Sequence, residues 1–298
     1  MSLCYKFTVA GHTFGIEMPD DIPADKILLP YQPFSVKDNG GTEPIFIMRV
    51  DKNDVFPWDE YPGELLYKSE SFPYIGIYRC KENYVFGFSM SSDEVDYFLS
   101  VSTSFREARL YIGCKYTFDQ IRTVLNSSMM LLYALNTADK GTLIVHAAAV
   151  ELNKSAYIFL GLSGTGKSTH ARLWRENVAG SELLNDDTPV LRVEDDGSVF
   201  VYGSPWSGKT PCYKNRRAEL GAFIRLSQAP FNRIRALKPV EAYASLRSSS
   251  SCMKWVKEMA DGVHSSVERI VERTGAYYLE CLPDNEAALL CAKTVKAI

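Results

Sequence analysis

The chain has no run of roughly 18 or more apolar residues, which excludes a transmembrane helix. Its opening stretch, Met1-Ser2-Leu3-Cys4-Tyr5-Lys6, lacks the apolar core of a signal peptide, so a cytoplasmic location is expected. No Cys-x-x-Cys pair occurs. The seven cysteines (Cys4, Cys80, Cys114, Cys212, Cys252, Cys281 and Cys291) are odd in number and scattered, the pattern of free buried thiols in a reducing compartment. Internal repeats are absent, and the nearest approach to low complexity, Ser248-Ser249-Ser250-Ser251, reads as a mobile loop. Basic residues form no stripe and no recognition motif, so neither nucleic acid nor membrane is an expected partner.

What is present is ordinary globular material: 298 residues, 46% apolar and 23% charged, enough for two domains with substantial cores. Net charge is -3 but uneven: from Pro205 onward 15 Lys/Arg stand against 9 Asp/Glu, leaving 18 against 27 before it. A basic C-terminal part suits anionic ligands, although a solvated surface explains it equally well.

Residues 1–115 read as β-rich, a possible substrate-selecting domain. A hairpin is predicted over residues 5–17, turning at Ala10-Gly11-His12, with further strands at 44–50, 74–79, 84–90 and 95–103 and an irregular stretch at 51–71. From Thr117 the apolar period becomes helical, through Phe118, Ile121, Val124, Leu125, Met129, Leu132 and Leu135. That helix opens the second domain, residues 116–298. A hairpin follows, its strands at 143–151 and 156–160 turning on Asn153-Lys154. Farther on, Asp195-Asp196-Gly197 marks another hairpin, strands are expected at 222–226 and 276–281, helices at 240–246 and 252–273, and Asn285 as cap of a last helix.

The informative stretch begins where the strand at 156–160 ends. It runs directly into Gly161-Leu162-Ser163-Gly164-Thr165-Gly166-Lys167-Ser168-Thr169, a Gly-x-x-x-x-Gly-Lys-Ser pattern with a helix behind it. Glycines at Gly161, Gly164 and Gly166 let successive N–H groups converge on an anion. Lys167 would reach the β- and γ-phosphates, and Ser168 would hold Mg²⁺ at the positive end of the helix. Leu183-Leu184-Asn185-Asp186-Asp187 then places two carboxylates at the end of the next strand, the position of a metal ligand in a parallel sheet; adjacent strand residues face opposite ways, so one of the two touches the metal.

Taken with His146-Ala147-Ala148-Ala149-Val150 before the hairpin, these residues resemble the nucleotide core shared by HPr kinase/phosphorylase and phosphoenolpyruvate carboxykinase. The resemblance covers residues 140–290 and is most specific through Asp187. It implies an α/β (α+β mixed) fold with a phosphoenolpyruvate carboxykinase-like P-loop domain, ATP and Mg²⁺ as cofactors, and an HPr kinase-like phosphotransferase acting on an alcohol group. Position by position, it implies that Gly161, Ser163, Gly164, Thr165, Gly166, Lys167, Ser168 and Thr169 bind phosphate, that Ser168 and Asp186 bind metal, that Asp187 is the base, and that His146 lies beside the γ-phosphate. Lys209, Arg216 and Arg217 are candidates for holding the transferred phosphate or an anionic acceptor. The Glu-x-Arg-Gly-x-Gly stretch of HPr kinases is not reproduced in order by Arg216-Arg217-Ala218-Glu219-Leu220-Gly221, so HPr itself is not the expected substrate. The expected acceptor is a serine hydroxyl of a small molecule, peptide or protein; a regulatory protein that senses ATP without transferring phosphate is the competing reading.

Overall fold

The structure, a computed structural model, describes residues 2–36, 42–53, 56, 61, 63–69, 74–89, 97–113, 117–208, 210–253 and 256–297. It is mixed α/β, with two mixed sheets carried by two compact units, Met1–Asn136 and Thr137–Ile298.

In the first unit, strands β1 (Ser2–Val9), β2 (His12–Pro19), β3 (Ile47–Lys52), β4 (Gly63–Lys68), β5 (Tyr74–Cys80), β6 (Asn83–Ser89), β7 (Tyr97–Ser102) and β8 (Glu107–Ile112) form one sheet in the order β1-β2-β3-β8-β7-β6-β5-β4. A short helix, α1 (Ala24–Ile27), follows β2. The first hairpin turns on Ala10 and Gly11, both at positive φ (46° and 79°), the two-residue turn whose twist matches its strands. Strand β4 lies inside the stretch expected to be irregular, and β8 had no counterpart among the predicted strands. Helix α2 (Phe118–Thr137) opens with a capping box: Thr117 Oγ1 accepts from Gln120 N, and Gln120 Oε1 accepts from Thr117 N at 2.9 Å.

This helix belongs to the first unit, so the boundary expected between residues 115 and 116 falls at Asn136. The reason is packing. The Tyr133 hydroxyl donates to the Val9 carbonyl at 3.0 Å, its ring meets Phe14 edge-on at 5.7 Å, and Asn136 donates to the Phe105 carbonyl at 2.9 Å.

The second unit contains β9 (Thr142–Ile144), β10 (Ala147–Leu152), β11 (Ser155–Leu160), α3 (Lys167–Asn177), β12 (Glu182–Asp187), β13 (Val190–Val193), β14 (Val199–Tyr202), β15 (Arg217–Gln228), β16 (Arg233–Ala236), α4 (Pro239–Ser249), α5 (Lys257–Arg273), β17 (Gly275–Cys281) and α6 (Asn285–Thr294). Its sheet runs β12-β10-β11-β15-β14-β13-β9, with β17 beside β15 and β16 beside β17. Asn153 and Lys154 sit at positive φ (51° and 69°) and close the β10–β11 hairpin. Asp284, rather than Asn285, caps α6 by accepting from Ala287 N at 2.9 Å. One face of the sheet packs Phe159, Trp174, Ile224, Leu279 and Cys291 into a core under α3 and α6. Helix α4 lies against β11, and α5 against β9 and β13.

The single strand expected at 143–151 is broken at Val145 and His146. Its first part pairs with β13, its second with β11 and β12. Five inter-strand steps separate β9 from β10 in sheet order, about 24 Å if flat, yet three peptide units joining Ile144 to Ala147 reach only about 11 Å. The sheet must therefore curl until its ends meet. The link from Asp187 to Val190 crosses the same seam, so two short crossings, one carrying His146 and the other Thr188, lie where the sheet closes.

Candidate functional site

Register decides which residues meet. Asp187 pairs with Ala147, Ala147 with Leu160, and Leu160 with Arg225, one row across four strands; Asp186, Ala148, Phe159 and Ile224 form the next. Because β10 is antiparallel to both neighbours, β12 and β11 run the same way, and the acidic pair ends on the sheet edge where the glycine loop begins. Gly161, Gly164 and Gly166 have φ of 151°, 82° and 98°, which side chains rarely tolerate, and a Cβ at Gly161 would lie 2.5 Å from Thr165 Oγ1. Inside the loop, Thr165 Oγ1 donates to the Leu162 carbonyl at 2.8 Å. Lys167 Nζ donates to the carbonyls of Gly161 and Leu162 at 3.0 and 3.1 Å. Burial lowers the Lys167 pKa, while the charges of Asp187 and Asp186 pull it back up. Gln228 Nε2 ties the loop to β15 by donating to the Gly164 carbonyl at 3.1 Å. Ser163 and Ser168 are exposed, and Thr169 is half-buried on the first turn of α3.

The two aspartates differ. Asp186 is 2% exposed, and neither carboxylate oxygen has a hydrogen-bond partner among the described residues. Asp187 has φ of 146°, strained for a non-glycine. Its Oδ1 lies 3.2 Å from His146 Nδ1, and its Oδ2 accepts from Thr188 Oγ1 at 3.0 Å. Burial pushes the Asp187 carboxyl up, but the His146 contact, the Thr188 hydroxyl and the Lys167 charge outweigh it and hold the group below its ordinary value, hence ionised.

A buried network fixes this corner. Asn185 Nδ2 donates to Ser204 Oγ and the Trp206 carbonyl, Asn185 Oδ1 accepts from Thr188 N at 2.8 Å, and Ser204 Oγ donates to the Thr188 carbonyl at 2.6 Å. Gly208 N donates to the Asp186 carbonyl; a Cβ there would come within 2.8 Å of that oxygen and 3.1 Å of Asp187 Cβ. On the other side of the loop a cavity of about 540 Å³ is lined by Gly164, Thr169, His170, Gln228, Cys281 and Leu282 among others. Burial drives the Cys281 thiol up to about 11, with the Asp284 charge adding to it, so no thiolate nucleophile faces that cavity.

The structure thus brings His146, Asp186, Asp187 and residues 161–169 to one edge. It does not bring Arg217 there. That guanidinium stacks on the Phe200 ring at 4.3 Å and contacts Tyr202 and Glu194, and Arg216 contacts Glu151 and Glu182. Arg217 opens β15 and Arg216 precedes it; Glu219, two residues on, pairs with Ser155 at the end of β11 away from the loop, so Arg217 lies about 26 Å of strand from Arg225. Arg217 is therefore withdrawn as a catalytic candidate. Lys209 lies outside the described residues. In their place stands Arg225, whose signal in the sequence is a lone charge inside the apolar run Phe223-Ile224-Arg225-Leu226. The serine stretch expected to be a mobile loop instead ends α4: His146 N donates to the Ser249 carbonyl at 2.8 Å, and Ser250 bridges to Val145. Asn185, Ser204, Gly208 and Gln228 stood in the sequence as ordinary turn and strand residues.

No protein-family model matches the chain, and no curated protein matches it. Among solved structures it is similar to the Hpr(Ser) kinase/phosphatase from Coxiella burnetii, at 14% identity over 52% of this chain and 94% of that one, with a TM-score of 0.30. This is a distant structural likeness, too low in TM-score to bear on residue roles, which rest on the site geometry alone.

Proposed function

We propose that the second unit is an ATP-dependent kinase that transfers the γ-phosphate to a hydroxyl acceptor, built on a phosphoenolpyruvate carboxykinase-like P-loop domain. The observation that carries this reading is Asp186: a buried carboxylate with neither oxygen hydrogen-bonded among the described residues, on the sheet edge of a glycine loop that ends in lysine and serine. Leaving a carboxylate buried and unpaired costs several kcal/mol, and a cation beside it offsets that cost.

The donor set fits Mg²⁺. Among the described residues no cluster of three acidic, histidine or cysteine side chains could hold a metal. Magnesium commonly takes one or two protein oxygens and completes its shell with phosphate and water, and Asp186 with the Ser168 hydroxyl supplies that pair. When bound, the ion neutralises charge on the β- and γ-phosphates. The loop N–H groups and Lys167 orient the phosphates, and the 540 Å³ cavity beyond Gly164 is large enough for the nucleoside. Asp187, ionised and steadied by His146 and Thr188, faces the opposite side of the sheet from Asp186 and takes the acceptor proton. A sensor that only binds ATP would share the loop but has no need of this second carboxylate.

The first test is binding. Lys167→Ala should weaken Mg-ATP binding by at least tenfold with thermal stability retained, measured by calorimetric titration. Equal affinities would remove the phosphate-loop assignment.

A further inference from the structure

Beside the loop, on the face opposite α3, lies a second and smaller cavity of about 180 Å³. Its walls are His146, Leu162, Ser163, Arg225 and the serines Ser245, Ser248 and Ser249 at the end of α4. At about 30 Å³ per water, the space equals roughly six waters. That suits a molecule of fewer than about ten non-hydrogen atoms.

The chemistry of the walls is specific. Arg225 donates to Ser245 Oγ at 3.4 Å and has no carboxylate partner among the described residues, whereas Arg216, Arg217, Arg233 and Arg235 each face one. The serine hydroxyls spend their protons on helix carbonyls: Ser245 on Glu241, and Ser248 and Ser249 on Ser245. Their lone pairs accept only from donors, so a carboxylate entering the cavity is left to Arg225. At the cavity's other end His146 leads to Asp187, 3.2 Å away. A guanidinium with no carboxylate partner among the described residues, three serine hydroxyls and His146 line one small space, with Asp187 behind His146.

We propose that this cavity is the acceptor subsite and that the acceptor is a small hydroxy acid, its carboxylate held by Arg225 and its hydroxyl turned toward the His146–Asp187 pair. The inference rests on the kinase reading and names its substrate class. In the step, the acceptor hydroxyl oxygen forms a bond to the γ-phosphorus of ATP. The bond from that phosphorus to the β–γ bridging oxygen breaks, its electron pair leaves on ADP, and the hydroxyl proton passes to Asp187. Arg225 is paired with Leu160, the residue just before the loop, so a carboxylate on it would lie beside the loop.

The experiment uses the full chain with Mg-ATP and follows ADP release and phosphate incorporation. Hydroxy acids of two to four carbons are compared with their amides and with serine-containing peptides, in the parent and in Arg225→Gln and Arg225→Lys. Expected are turnover of at least one hydroxy acid well above its amide, a KM for the acid raised tenfold or more by Arg225→Gln with kcat held within a few-fold, and partial rescue by Arg225→Lys. Mg-ATP affinity, measured separately by calorimetry, should stay within threefold in all three proteins. Transfer to peptides alone, or a kcat loss equal for acid and amide, would overturn the acceptor assignment while leaving the kinase reading intact. Absence of Mg-ATP binding in the parent would sink both.

Discussion

Asp186 and Asp187 are neighbours in sequence with opposite surroundings, and single substitutions should separate them. Asp186 is buried with neither carboxylate oxygen hydrogen-bonded among the described residues, so Asp186→Asn removes a carboxylate that has no hydrogen-bond partner there. The nucleotide-free variant should melt at the same temperature as the parent or higher, while the rise in melting temperature brought by Mg-ATP shrinks. A variant clearly less stable without nucleotide would show that the carboxylate has a protein partner after all. Asp187 has its oxygens engaged by His146 and Thr188, and Asp187→Asn should leave Mg-ATP affinity within about tenfold but lower phosphoryl transfer by about 10² to 10⁴. Transfer at the parental rate would dismiss Asp187 as base. The pair was legible in the sequence because both residues sit in one local strand; which of them lacked partners was not, because those partners would come from β10, α3 and the loop around Gly208.

Helix α3 joins the loop to the core, and it carries a titratable group deep inside. His170 accepts from Trp174 Nε1 at 3.2 Å and packs edge-on against Phe159 at 4.7 Å, so its proton belongs on Nδ1. Burial lowers its pKa from 6.5 to about 4. The unfolded chain thus binds a proton between those values that the folded chain refuses, and stability rises with pH across that window. Acidifying from pH 6.5 to 4 should cost about 3 kcal/mol from this residue, read as a falling denaturant midpoint. In His170→Gln, which keeps an acceptor for Trp174, that slope should flatten; an unchanged slope would place its origin elsewhere. Elements formed by near neighbours were readable in advance: the glycine loop, the Asn153-Lys154 turn, α3 and the apolar stripe of α2. Elements defined by distant pairing were not. Arg217 and Arg225 lie on the same strand, and only the register of β15 against β11 shows which end meets the loop.

At the scale of the whole chain, a change of periodicity at Thr117 suggested a boundary, but a helix can serve the sheet before it or the one after it, and its pattern is the same for both. Tyr133 and Asn136 decide the matter by reaching back to Val9 and Phe105. In the second unit, the curling of the sheet sets an order of events. The β10–β11 hairpin and α3 are local and can form early, whereas the seam needs β9 on β13, β10 on β12 and β11 on β15, pairings that close loops of up to roughly sixty residues. His146 and Thr188 ride on the two crossings of that seam, so they are placed by the slowest closures. After dilution from denaturant, the far-ultraviolet helix and strand signal should recover before the ability to bind Mg-ATP; recovery of both in one phase would argue against this order. A nascent chain would then hold a formed glycine loop for a time without its aspartates in place, and the site would be complete only as folding finishes.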